Sequence, residues 1–236
     1  MKFMFIGLVF LISACQLGET INGSGTVVDE KRSGNGFSKL SVSGPMEVTV
    51  KQGDHYEVEV SADDNILSYV ETRVEGNRLE IGFKHNINIR SSKGIHVSIV
   101  MPKISGISLA GSGKVNSNGR INGDEKIDLD VSGSGDMKLE LKCPDISVDI
   151  SGSGRLEMNG ETRNLDVDVT GSGNFFGENL MAEKVKASIT GSGTAKVFAS
   201  TDLDASITGS GDLYYKGNPA NIKRSISGSG KVEVLQ

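Results

Sequence analysis

Asp130, Asp149 and Asp168 recur at intervals of 19 residues, with Asp128 and Asp166 two places ahead of the first and third. Carboxylates that recur in this way are what a calcium site draws on, because Ca2+ takes 6–8 oxygen ligands. Joined by a base, they would suit cleavage of an acidic polysaccharide. Three features weigh against that chemistry. No Lys or Arg base is evident beside the aspartates, and the series continues as Ser188, Ser206 and Ser225. A strand spacing near 4.8 Å also separates successive carboxylates too far to share one ion except by bridging. The expectation is a solvated acidic face and no metal site.

The other chemistry-bearing residues are sparse. His55, His85 and His96 lack a second His or a Cys at zinc-ligand spacing and read as surface or turn residues. The recurring Gly-Ser-Gly lacks the following Lys-Ser/Thr of a phosphate loop, and Gly171 to Gly177 misses the dinucleotide spacing. No serine sits in a nucleophile elbow. No catalytic residue and no cofactor is therefore expected. Phe176 and Tyr214 are candidates of another kind. Both fall in the outward phase five residues after a Gly-Ser-Gly, two repeats apart, where rings contact a glycan or surface protein or rest on a neighbouring loop.

The elements that must hold these residues are strands. Gly-Ser-Gly begins at Gly111, Gly133, Gly152, Gly171, Gly191, Gly209 and Gly228, at spacings of 22, 19, 19, 20, 18 and 19. Two residues before each copy stand Leu109, Val131, Ile150, Val169, Ile189, Ile207 and Ile226; four after stand Val115, Met137, Leu156, Phe175, Ala195, Leu213 and Val232. Apolar and polar residues alternate on both sides, which is the period of half-buried strands. Each repeat reads as strand, glycine corner, strand and a polar turn such as Asn159 to Thr162. A β-solenoid of about six coils explains why the same residue types return column by column. A meander of hairpins is the alternative. The seven first glycines are assigned to structural turns, and the hydroxyls before them (Ser132, Ser151, Thr170, Thr190, Thr208, Ser227) to ladders that satisfy turn groups.

Residues 37–105 are β-rich without that period. Val74 to Phe83 suggests a hairpin across Glu75-Gly76-Asn77, Ile66, Leu67 and Val70 suggest one helical turn, and 84–94 reads as a polar loop. The organisation expected is 1–15 as an export signal, 16–36 as a tether with a short strand at Val27-Val28, and 37–236 as one all-β domain, its repeat part spanning 106–236. Lys2 and the apolar run Phe3 to Ile12 make a signal too short to span a bilayer as a helix. Ile12-Ser13-Ala14-Cys15 resembles the bacterial lipobox, which implies lipidation of Cys15 and a membrane as partner. An ordinary signal peptide with an incidental cysteine is the plainer reading. Gln16 in place of Asp after the cysteine implies, by the same resemblance, delivery to the outer membrane; the face it occupies there is left open. Cys143 would be the one thiol left in the mature domain and reads as a buried structural residue.

Phe37 to Val48, then Gln52-Gly53-Asp54, then Asn77 to Ile81, then the Gly-Ser-Gly series resemble the putative auto-transporter adhesin head GIN domain family. The resemblance implies an extracytoplasmic, often lipid-anchored β-helix-like protein, and it supplies no catalytic residues. With a formal net charge of -5 and no dense basic tract, nucleic-acid binding is not expected. The function expected is non-enzymatic adhesion or binding at the cell envelope. A polysaccharide-acting enzyme and a structural envelope scaffold are the alternatives, and the oligomeric state is left open.

Overall fold

The computed structural model describes residues 19–84 and 87–235, and they are nearly all strand. In chain order these are β1 (Glu19–Asn22), β2 (Val27–Arg32), β3 (Lys39–Ser43), β4 (Glu47–Gln52), β5 (Glu57–Asp63), β6 (Val70–Glu75), β7 (Arg78–Phe83), β8 (Ile87–Arg90) and β9 (His96–Met101). They continue as β10 (Gly106–Gly111), β11 (Lys114–Asn122), β12 (Ile127–Gly133), β13 (Asp136–Gly152), β14 (Arg155–Gly171), β15 (Asn174–Gly191), β16 (Thr194–Gly209), β17 (Asp212–Lys216), β18 (Asn221–Gly228) and β19 (Lys231–Val234). A 3-10 turn, Leu67–Tyr69, is the helical turn expected there.

Period-2 alternation sends every second side chain inward, and each glycine corner turns the chain so that one strand enters and another leaves. Equivalent strands then pair in parallel and in register, the arrangement of a solenoid and not of a hairpin meander. Entering strands stack as β7, β3, β10, β12, the second halves of β13 to β16, and β18. Leaving strands stack as β9, β4, β11, the first halves of β13 to β16, β17 and β19. The seven Gly-Ser-Gly copies therefore make seven coils where about six were expected.

The columns seen in sequence are the core. One inward column runs Leu79, Leu40, Ile107, Leu129, Val148, Val167, Ala187, Ala205, Arg224. Opposite it run Val97, Val48, Val115, Met137, Leu156, Phe175, Ala195, Leu213, Val232. All are buried except Arg224. Burying each large apolar side chain contributes about 1.5–3 kcal/mol, so the stack is held by summed layers with no single dominant contact.

Each corner needs both its glycines, for different reasons. At Gly152 and Gly171 φ is 106°, a region that side chains with a Cβ avoid. The second glycine is excluded from substitution by space. A Cβ on Gly154 would lie 2.5 Å from Val131 Cγ1 and 3.0 Å from Gly135 O. Corner amides bond straight down the stack, as in Ser153 N–H to Gly133 O (2.8 Å) and Arg155 N–H to Gly135 O (3.0 Å). Main chain, and not the hydroxyl ladders expected, satisfies these groups. The Asn159 to Thr162 turn is likewise a bend inside a continuous parallel ladder, with Gly160 opposite Leu141.

The N-terminal part differs most from expectation. Its β7/β9 and β3/β4 pairs are two further coils of the same stack, with Gly44 (φ 109°) at the corner and its N–H on Ala110 O at 3.0 Å. β8 lies in the segment read as a loop and pairs in parallel with β1, which lies in the segment read as a tether. Ile21 and Ile89 pack on the core, a two-residue pattern too short to be recognised as a strand. The strand expected at Val27-Val28 extends to Arg32 as β2.

This end of the stack is covered. β6 runs antiparallel along β7, and β5 runs antiparallel along β9 with β2 beyond it. One buried carboxylate ties the cover together. Asp63, at the end of β5, accepts hydrogen bonds from Gly25 N (2.9 Å), Ser91 Oγ (2.7 Å), Ser92 N (2.8 Å) and Ser92 Oγ. Those donors, the Ser92 hydroxyl foremost, hold its carboxyl well below the usual carboxylate range.

Candidate functional surface

The outward side of the entering strands carries the acidic column. Asp130, Asp149 and Asp168 sit opposite one another on successive coils and are exposed. Partial desolvation, then the charges of Asp130 and Asp168, push the Asp149 carboxyl above its ordinary value. The neighbouring column corrects the expectation that no base stands beside the aspartates. Lys126 pairs with Asp128 at 2.9 Å, Lys186 with Asp166 at 3.3 Å, and Lys223 with Asp204 at 3.3 Å. Lys126 lies two residues from its aspartate, whereas Lys186 and Lys223 reach theirs from the next coil, which linear spacing conceals. Exposed pairs of this kind contribute about 0–1 kcal/mol each. Their effect is local neutrality along a groove of about 850 Å3 lined by Lys126, Asp145, Asn164, Lys184, Asp202 and Lys223 among others. Among the described residues no group of three His, Cys, Asp or Glu converges as a metal site.

The aromatic candidates lie on the leaving strands. Glu157, Phe176, Lys196 and Tyr214 stand in one column, so the two rings are two strand spacings apart, about 9.6 Å. Both rings are half-buried. The Arg155 guanidinium lies 4.4 Å from the Phe176 ring centroid and Lys196 Nζ lies 5.2 Å from it. Lys231 Nζ is 5.5 Å from the Tyr214 ring, and the Tyr214 hydroxyl donates to Asp212 Oδ2 at 3.4 Å. Phe176 thus meets two cations and Tyr214 one, an attraction worth about 0.5–1 kcal/mol at exposed sites.

The remaining candidates do not converge. His55 contacts Asp54 (2.7 Å), whose carboxylate raises the imidazole pKa, while His96 meets Glu47 at 3.4 Å on another strand. His85 and Cys15 lie outside the described residues. The Cys143 thiol is free and buried, and burial pushes it up to about 11, which makes it a poor nucleophile. It lines a second groove together with Thr162, whose hydroxyl donates toward Pro144 O and Asn164 O, each at 3.1 Å.

Parallel strands in register, glycine corners and ion-paired outward columns define an all-β solenoid with long repetitive faces. The chain belongs to the putative auto-transporter adhesin, head GIN domain family, whose sequence model matches residues 36–219. Solved structures share the fold. A putative adhesin from Bacteroides fragilis is similar with a TM-score of 0.85 and 24% identity, over 91% of this chain and 100% of that one. A putative lipid binding protein from Parabacteroides distasonis gives 0.78 and 24%, over 92% and 100%. A putative adhesin from the same species gives 0.69 and 26%, over 92% and 100%. No curated protein matches the chain.

Proposed function

We propose that the protein is a lipid-anchored module of the cell envelope, delivered to the outer membrane, that binds a glycan or surface protein through a solenoid face without catalysing a reaction. The observation that carries this reading is the stacking of outward positions at a regular spacing along one face, with Phe176 and Tyr214 two coils apart in one column. A polymeric or multivalent partner can then meet several contacts at once, and weak contacts add through avidity. Membership of an adhesin-like family and the fold shared with structures described as putative adhesins support it. Phe176 and Tyr214, two coils apart on one face, are the contact residues.

Three experiments bear on it. In a glycan-array and pull-down screen, Phe176→Ala with Tyr214→Ala is expected to reduce binding at least tenfold and leave the melting temperature within a few degrees. Binding unchanged by the double substitution removes these rings from the site. Turnover of an acidic polysaccharide that disappears on Asp149→Ala would favour the enzyme instead. For the anchor, Cys15→Ser should yield an uncleaved precursor that incorporates no labelled palmitate. Equal labelling of both proteins would sink lipidation at Cys15.

A further inference from the structure

The last described layer of the inward column carries a charge. Eight members of the inward column from Leu79 to Ala205 are apolar and buried, and the ninth, Arg224 on β18, is exposed. Its Nη2–H donates to the Tyr215 hydroxyl at 2.9 Å, and the guanidinium lies 5.7 Å from the Tyr215 ring centroid. Arg224 therefore reaches across the last buried layer. Around it Ile222, Ile226 and Val234 are 41%, 45% and 59% exposed, although their counterparts Leu203, Ile207 and Tyr215 one coil earlier are buried. Among the described strands, β18 pairs only with β16 and β19 only with β17, so both outer edges are open. At the opposite end β6 and β5 cover β7 and β9, and among the described strands the free outer edges pass to β6 and to β2, where Val27 and Val28 are exposed.

Open strand edges beside exposed apolar residues are a template for another chain, and repeat proteins need their ends closed. We propose that Arg224, held by Tyr215, keeps this end from docking on the same end of a second copy. A charge turned inward on an edge strand is one of the devices that block strand addition. Docking would strip water from a guanidinium that pairs with no carboxylate among the described residues, and an uncompensated buried charge is strongly unfavourable.

Symmetry defines what is prevented. Docking of this end on the same end of a second copy uses one surface on both partners and so gives a closed two-fold pair. β18 runs toward the last Gly-Ser-Gly corner and β19 runs away from it. A two-fold axis through that corner lays β18 of each copy antiparallel on β19 of the other, and brings the two Ser229 residues face to face.

The test uses the full chain in mild detergent, carrying Ser229→Cys as a cross-linking reporter; the chain without it sets the background from the other cysteines. With Arg224 present, oxidation should leave the reporter chain essentially monomeric on a non-reducing gel. Arg224→Ile should raise the disulfide-linked dimer at least tenfold, and Arg224→Ala should also raise it, whereas Arg224→Lys should not. Ser112→Cys, in the first Gly-Ser-Gly corner, should give no dimer in any background. Equal cross-linking with Arg224 in place overturns the proposal. So does an Arg224→Ile or Arg224→Ala chain that melts like its parent yet stays monomeric, or that sediments as oligomers larger than a dimer.

Discussion

Gly171→Val is expected to lower stability by about 3–5 kcal/mol, read as a shift in the urea or guanidinium midpoint. Two causes add. Gly171 has φ 106°, which a β-branched residue adopts only under strain, and a Cβ there would lie 2.6 Å from Gly152 O of the coil below. That oxygen accepts the Ser172 amide at 2.8 Å, so relief of the clash breaks a coil-to-coil hydrogen bond as well. Glu157→Ala is the matched control. Its carboxylate pairs with Lys138 at 2.8 Å on the surface, and its loss should change stability by about 0.5 kcal/mol or less. Similar midpoints for the two variants would show that the corner geometry is not what the fold depends on.

Asp63→Asn is expected to reduce the melting temperature by several degrees at neutral pH, and by clearly more than Asp64→Asn. The buried Asp63 carboxylate accepts from both sides of the N-terminal cover, and an amide NH2 in its place would face a donor. The pH dependence has a definite sign. Because the folded-state pKa of Asp63 is depressed, its stabilisation is fully present above the unfolded value near 4 and is lost as pH falls toward the folded value. The difference in melting temperature between parent and Asp63→Asn should therefore be widest near pH 7 and shrink below about pH 4. A gap that stays constant into acid would mean that the ionised carboxylate is not the source of the stabilisation.

The regular coils were legible because each inward column repeats in sequence, from Leu129 through Ala205. Less legible was the corner at Ser43-Gly44-Pro45, where Met46 replaces the second glycine and the intervening strands β5 and β6 interrupt the period. Linear order also separates residues that stacking joins, as with Lys186 and Asp166 on adjacent coils. Nothing local distinguishes Asp63 from Asp64, since burial of the first is decided by Gly25, Ser91 and Ser92 from distant segments. Arg224 did carry a signal. It is the one charged residue in a column otherwise made of Leu, Ile, Val or Ala, and its meaning depends on β18 being the last described strand of that column.

The in-register corners make length a quantity that a gene can change in whole steps. A segment such as 153–171 begins and ends at the same point of the corner, and its strands offer the coils on either side the same ladder. Recombination between two such segments would add or delete a complete coil, about 4.8 Å of reach, without a frayed junction. The covered end and the Arg224 end would be inherited intact. Chains of this design can thus grow longer or shorter while the pieces at either end of the stack stay the same.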